Sequence, residues 1–293
     1  MAADTLLLYF EEEHASAERI AQAAGIGLTP IARHRFPDGE LKLRLPPTLP
    51  QRVVLLRTLD HPNEKLVELL LVSRTARLLG AQHLTLVAPY LAYMRQDIAF
   101  TPGEVVSQRV VGSFLATLFD AIITVDPHLH RITTLEEAVP VPRAVVLSGA
   151  PMLADWIADH VDKPLLVGPD EESAQWVAQA ADRHQCDFAV CRKIRHDDRH
   201  VEVALPDVKV AGRNIVLLDD VASSGHTLAV ATRLLLAAGA ARVDVAVTHA
   251  LFADDALDLI QTAGVSEVWS TDCIPHSTNA VSMASAIAAA LKS

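Results

Sequence analysis

The sequence predicts an α/β protein with mostly parallel sheets flanked by helices, and three observations predict it. Apolar, β-branched runs alternate with helical patterns along nearly the whole chain, and such alternation builds βαβ units. Hydrophobic residues make up 51% of the chain but aromatic residues only 4%. The core must therefore be mostly Ala, Val, Leu and Ile, as in helix-covered parallel strands. The length of 293 residues suffices for two domains of ordinary size, and the alternation runs through two rounds.

The first round opens on a strand at Thr5–Phe10, followed by a helical pattern near 14–25. Ile31–Phe36 and Leu41–Leu45 are short strands around Pro37-Asp38-Gly39-Glu40, where Asp-Gly is a strong hairpin-turn signal. Val53–Arg57, His83–Ala88 and Ala121–Val125 are further strands, separated by helical patterns near 63–79 and 105–118. Later strands fall at Ala144–Leu147, Pro164–Gly168, Phe188–Cys191, Val201–Ala204, Asn214–Leu218, Arg242–Thr248 and Glu267–Ser270. Later helices fall near 150–161, 171–184, 226–238, 253–263 and 281–291. Pro140, Pro142 and Gly149 cluster where organisation is weakest. They set a boundary near 147 and domains 1–147 and 148–293. Gln96–Glu104 and Arg192–His200 are polar, carry neither period and read as loops.

A net charge of −11 argues against nonspecific binding to nucleic acid or to an anionic membrane surface. No apolar run approaches the ~20 residues that span a bilayer. The N-terminal stretch lacks a basic region and soon reaches Glu11-Glu12-Glu13, so no secretory signal is expected. Cys186, Cys191 and Cys273 form no CxxC pair. Free, mostly buried thiols in a reducing cytoplasm are the expectation.

The strongest local signal is Asn214–Thr227. An apolar run ends in Asp219-Asp220, Val221-Ala222-Ser223-Ser224-Gly225-His226-Thr227 follows, and an Ala/Leu-rich helical pattern begins. Backbone N–H groups and hydroxyls at such a helix N-terminus suit a phosphate. An acid at the carboxyl end of a parallel strand suits the hydroxyls of a sugar. The plainer reading is an N-cap, with Ser223 or Ser224 satisfying orphan donors. No GxxxxGK[ST] loop, Rossmann fingerprint, HExxH or GxSxG is present, which removes P-loop, zinc-protease and serine-hydrolase readings.

Other segments carry weaker signals. Asp126-Pro127-His128-Leu129-His130 follows a strand. An extended chain would put Asp126, His128 and His130 on one face, able to orient a metal or a phosphate; a polar strand end is the alternative. Asp170, between Pro169 and the helix-opening Glu171-Glu172-Ser173, is a candidate for a hard cation. Glu171 and Glu172 also fit as first-turn acids. Arg192-Lys193-Ile194-Arg195 is a basic cluster in an acidic chain, fit to close over polyphosphate or simply solvated. Phe36, beside Asp38 and Glu40, has the chemistry to stack on an adenine and accept from its amino group, although the segment also reads as a bare turn. Arg95-Gln96-Asp97 is weak alone.

Taken together in their order, these segments resemble ribose-phosphate diphosphokinase, the phosphoribosyl pyrophosphate synthetase family. The resemblance runs from Phe36–Glu40 through Asn63, Pro89-Tyr90, Arg95–Asp97, Asp126–His128, Pro169-Asp170, Lys193–Arg195, Asp219–Thr227 and Thr248-His249 to Thr271–Pro275. Thr101–Ser107, the Asp-Pro-His form and the shorter length look closer to the archaeal type. The resemblance implies two phosphoribosyltransferase-like domains related by a pseudo-twofold, with ATP, Mg²⁺ and ribose 5-phosphate meeting between them. It implies a homodimer or higher homo-oligomer in which Phe36, Asp38 and Glu40 reach the adenine across subunits. Arg95, Gln96 and Asp97 would hold the nucleotide, and His128 and Asp170 would lie at metal and phosphate. Asp219 and Asp220 would take the ribose hydroxyls, Ser223, Ser224, Gly225, His226 and Thr227 the 5-phosphate, and Lys193 and Arg195 would form the catalytic loop. His226 stands where the family usually has Gly, and a side chain there either strains the backbone or points away. Ile98-Ala99-Phe100 replaces the usual basic residues. The competing readings are a noncatalytic regulatory homologue and a phosphoribosyltransferase that consumes the diphosphate product.

Overall fold

The computed structural model describes residues 4–129, 131–195 and 201–293. The chain divides into two units, residues 1–147 with 284–293, and 148–283. The first contains β1 (Thr5–Tyr9), α1 (His14–Ala24), β2 (Gly27–Pro30), β3 (Ala32–Arg35), β4 (Leu41–Arg44), β5 (Arg52–Leu56), α2 (Pro62–Leu78), β6 (His83–Ala88), α3 (Ser107–Ala116), β7 (Ala121–Val125), α4 (Leu135–Ala138) and β8 (Arg143–Leu147). The second contains α5 (Ala150–His160), β9 (Leu165–Gly168), α6 (Ala174–His184), β10 (Asp187–Val190), β11 (Arg192–Arg195), β12 (Val201–Ala204), β13 (Asn214–Ala222), α7 (His226–Ala237), β14 (Arg242–Ala250), α8 (Ala256–Thr262), β15 (Val268–Thr271) and β16 (Asn279–Val281). The last helix, α9 (Ala284–Lys292), belongs to the first unit.

Each unit holds a six-stranded sheet, ordered β2-β1-β5-β6-β7-β8 in the first and β10-β9-β13-β14-β15-β16 in the second. Every pairing within both sheets is parallel. The two orders are the same, and each has a two-stranded antiparallel hairpin, β3–β4 or β11–β12, between its second and third sheet strands. Strand order reverses between β1 and β5 and between β9 and β13. Those reversals are topological switch points, where open α/β sheets take ligands at the carboxyl ends of their strands.

Helices cover the sheets because their apolar residues recur at helical spacing. Ala17, Ile20, Ala21 and Ala24 are the buried stripe of α1, and Trp176, Val177, Ala180 and Ala181 that of α6. The central strands β6 and β7 are buried almost end to end, as doubly covered parallel strands must be. Separate cores of Val, Leu, Ile and Ala fill the two units.

Several local features depart from the sequence reading, among them these four. Domain 148–293 loses its last helix: α9 packs on α1, and its end is tied there by Lys292 Nζ donating to the Ala23 carbonyl at 2.9 Å. Strand β13 runs four residues past Leu218, because its register with β14 continues through Asp219↔Val247 to Ala222↔Ala250. The polar run expected as a loop at 192–200 begins as strand β11, paired with β12. The turn at Asp126 has φ +36°, so the chain is not extended there, and alternation does not put Asp126 and His128 on one face. His130 itself lies outside the described residues.

Beyond the ends of β1 and β5, the first unit buries charge. Arg57 is 1% exposed and Glu68 0%. Glu13, also buried, accepts from the Thr58 N–H at 2.7 Å. Burial lifts the Glu13 carboxyl from 4.5 to about 7, against the opposing pull of Arg57 and the Thr58 N–H. A folded-state value raised above the unfolded one stabilises fully below the unfolded value and loses that contribution as pH rises through the folded value. The stability of the wild type relative to Glu13→Gln should therefore fall by up to about 3 kcal/mol between pH 4.5 and 8. Urea unfolding at a series of pH values measures it, and a flat difference would refute the titration of Glu13.

Candidate active site

The polar ends of the second sheet converge at its switch point. Asp219 and Asp220 lie inside the long strand β13, where successive side chains point to opposite faces. Asp220 is buried, and its N–H donates to Asp219 Oδ1 at 3.0 Å. Asp170 follows β9, the neighbour of β13, and is also buried. It caps the short 3₁₀ turn Glu171–Ser173, with Oδ1 accepting from the Glu172 N–H at 3.1 Å. Burial first, then the like charges of Asp220 and Asp170, push the Asp219 carboxyl well above the ordinary carboxylate range. Asp170 also helps burial raise the thiol of Cys191 to about 11. This corner is therefore strongly anionic and poorly solvated, and it favours ligands that bring hydroxyl donors or cationic charge.

Directly after Ala222 the chain turns through Ser223 and Ser224 into α7. Gly225 is the residue before the helix, with φ +73° and no side-chain cap. A Cβ at Gly225 would stand 2.9 Å from the Ala256 carbonyl oxygen and 3.0 Å from Ile260, so both the backbone angle and the space require glycine. The turn after β14 braces the loop from behind: the Phe252 N–H donates to the Ala222 carbonyl at 2.9 Å, and the Ala253 N–H to that of Ser223 at 3.0 Å. His226 is the first helical residue and its side chain is exposed. Its backbone is helical and has no positive φ, so a side chain at this position causes no strain. Ser224 is exposed, and Ser223 and Thr227 are half-buried. The result is a helix N-terminus that no side chain caps, following directly on the acidic end of β13.

The remaining candidates lie on the first unit. Phe36–Glu40 is the exposed tip of the β3–β4 hairpin. The Phe36 N–H donates to the Glu40 carbonyl and the Gly39 N–H to that of Phe36, each at 2.9 Å, while Asp38 Oδ1 takes the Glu40 N–H at 3.1 Å. The His34 ring meets Phe36 edge-on at 4.9 Å. Arg95 is exposed, but its neighbours are engaged within their own loop. Gln96 Nε2 donates to Glu104 at 3.1 Å, and its Oε1 accepts from Ser107 Oγ at 2.9 Å. Asp97 pairs with Arg131 at 2.6 Å. Glu104 also takes the N–H groups of Phe100 and Thr101, which hold its carboxyl below the usual range.

Sequence reasoning did not find Glu104, Ser107 or Arg131, because their partners are fixed only by how the loop closes. Asn63 accepts from the Tyr93 hydroxyl. His128 is half-buried just past β7. His128 belongs to the first unit and Asp170 to the second. Among the described residues, no three His, Cys, Asp or Glu side chains form a group able to hold a metal ion. The side chains of Lys193 and Arg195 lie outside the described residues, although their backbone forms β11.

Known proteins match both halves. A family model described as the N-terminal domain of ribose phosphate pyrophosphokinase matches residues 5–118, and a phosphoribosyl transferase domain model matches 150–271. The ribose-phosphate pyrophosphokinase of Methanopyrus kandleri is 34% identical over 94% of this chain and 94% of its own. Ribose-phosphate pyrophosphokinase 1 of Archaeoglobus fulgidus is 36% identical over 94% of this chain and 95% of its own. That of Halobacterium salinarum is 32% identical over 98% of this chain and 100% of its own. The crystal structure of phosphoribosylpyrophosphate synthetase from Mycobacterium smegmatis shares the fold at a TM-score of 0.85, with 23% identity, covering 99% of this chain and 98% of that one. No helix is long and apolar enough to cross a membrane among the described residues. With both of its halves matched and archaeal relatives aligned over nearly their full length, this chain belongs to the ribose-phosphate pyrophosphokinase family.

Proposed function

We infer that this protein transfers the β,γ-diphosphate of ATP to the C1 hydroxyl of ribose 5-phosphate, forming 5-phosphoribosyl 1-diphosphate and AMP. The observation that carries the reading is the corner of the second unit, where carboxylates crowd beside the glycine-turned N-terminus of α7. Asp219 and Asp220 accept hydrogen bonds from the vicinal ribose hydroxyls. Backbone N–H groups of Ser223–Thr227 and the positive end of α7 hold the 5-phosphate. Arg95 meets the nucleotide phosphates, while the internal bonds of Gln96 and Asp97 keep the shape of the loop that presents it. The exposed tip Phe36–Glu40 stacks on and accepts from the adenine of a neighbouring copy, which makes the working enzyme a homodimer or larger, placed in the cytoplasm.

The C1 oxygen attacks the β-phosphorus in line with departing AMP, and the hydroxyl proton leaves to solvent. Such a transfer asks mainly for positioning and charge neutralisation. Lys193 and Arg195 supply cationic charge to the diphosphoryl group as it moves. The carboxylates of the anionic corner are hard oxygen donors that fit Mg²⁺, which needs only one or two carboxylates when substrate phosphates and water complete its shell. Asp170 and His128 are the residues that would hold it, with His128 also meeting phosphate. When bound, the ion neutralises phosphate charge.

Purified protein given ATP, Mg²⁺ and ribose 5-phosphate should release AMP only when the sugar is present. A protein that releases none is a regulatory homologue or a phosphoribosyltransferase. Lys193→Ala should lower kcat by about 10²–10³ with a far smaller change in the ATP KM, and near-normal turnover would remove Lys193 from the mechanism. Gly225→Ala forces a positive φ on a residue with a Cβ and crowds the Ala256 carbonyl. It should raise the KM for ribose 5-phosphate at least about tenfold while leaving that for ATP within about twofold. An unchanged sugar-phosphate KM would show that the loop does not bind the 5-phosphate.

A further inference from the structure

The β3–β4 hairpin stands outside the six-stranded sheet, and all of β3 is exposed. A two-stranded ribbon has little stability of its own, so its direction must be set by what grips it. Leu43 and Leu45 pack against the core, but an apolar contact is not directional. The directional grip is a ladder of charge. Arg33 and Arg35 are two residues apart on β3 and so share a face. Glu64 and Glu68 are four apart on α2 and also share a face. The spacings agree, at about 6–7 Å along the strand and about 6 Å along the helix. Arg33 meets Glu68 at 2.6 Å, and Arg35 pairs with Glu64.

The two rungs differ in strength. Arg35 and Glu64 are 53% and 41% exposed, where an ion pair contributes little. Glu68 is fully buried and is held from behind by Arg57. Arg57 also meets Glu12 at 2.8 Å and Glu13 at 3.5 Å. Arg33 reaches Glu12 as well, at 3.0 Å. Both guanidiniums lie over the Phe10 ring, at 4.4 Å for Arg57 and 5.3 Å for Arg33. From Glu13 the chain of bonds continues through the Thr58 N–H, and Thr58 Oγ1 accepts from the Tyr90 N–H at 3.3 Å. Tyr90 opens the segment that leads to Arg95.

We propose that the buried Arg57–Glu68 pair and the Arg33 fork seated on it position the β3–β4 hairpin for nucleotide binding. Arg33 is thus a positioning residue that acts through the tip Phe36–Glu40. This rests on the reading of that tip as a nucleotide contact. Arg33 is partly exposed, so Arg33→Gln should fold, whereas removing Arg57 would strand buried carboxylates.

In the full-length enzyme, Arg33→Gln should speed amide exchange across residues 32–44 at least about tenfold without nucleotide. It should raise the ATP KM about tenfold while the ribose 5-phosphate KM and kcat stay within twofold. Arg33→Lys keeps the charge but loses the fork and should fall between. Arg35→Gln should change either reading by less than about twofold. Unchanged exchange in the hairpin, or an equal rise in both KM values, overturns the positioning role. Faster exchange with an unchanged ATP KM instead overturns the reading of the tip as a nucleotide contact.

Discussion

The carboxyl end of a parallel sheet is where charge must be settled, and this molecule settles it in two opposite ways. Leu55 of β5 pairs with Leu8, one residue before the end of β1. Leu217 of β13 pairs with Val167, one residue before the end of β9. Two residues farther along, the same place in the fold is occupied by Arg57 in the first unit and Asp219 in the second. Arg57 is met by three glutamates and fixed. Asp219 is met by two aspartates, and its carboxyl is driven upward. One crevice is filled by the protein's own ion pairs, while the other gains from a ligand that donates hydrogen bonds or brings positive charge.

One fold, used twice, thus carries opposite charge at corresponding places. In the first unit the exposed polar elements include the β3–β4 hairpin and the segment at Arg95. Loops carry function well when a rigid scaffold aims them. Here the scaffold is the charge network itself, which reaches outward to the hairpin through Arg33 and along β5 to Thr58 and Tyr90. The price of such a design is a buried carboxyl at Glu13 whose affinity for a proton is raised. Breaking any one partner would leave the others desolvated, which is how a buried ion network enforces one geometry even where it adds little net stability.

Much of this was legible in the sequence. Alternating strand and helix patterns gave both rounds of the fold, and Asp38-Gly39 marked the hairpin. The Asp219–Thr227 segment showed its strand-turn-helix form because apolar run, acids, small residues and helical pattern follow without interruption. Other parts depend on partners distant in sequence. Gly27–Pro30 looks unlike a strand, but at a sheet edge a proline is tolerated. Arg192–Arg195 looks like a solvated charge run until Val201–Ala204 lies against it. Asp126 precedes a proline, which ordinarily favours extended backbone; here its N–H reaches the Leu147 carbonyl at 2.8 Å and the chain turns instead. Helix α9 reads as an end to the second round, and only its packing on α1 assigns it to the first unit.

The turn into α7 shows why a motif departure must be read against backbone angles. A histidine at 226, where the family resemblance implies glycine, suggests a loop bent out of shape. The left-handed angle falls on Gly225, and residue 226 already has ordinary helical geometry. Any L-residue adopts that geometry without strain, so the substitution leaves the path of the backbone intact. What does fix the path is the lack of room for a Cβ at Gly225 beside the Ala256 carbonyl, and the bracing of Ala222 and Ser223 by the turn after β14. None of those atoms belongs to the side chain at 226. The residue at 226 therefore sits on the exposed rim of the loop, while the direction of the first-turn N–H groups of α7 is set by the glycine before it and the strand behind it.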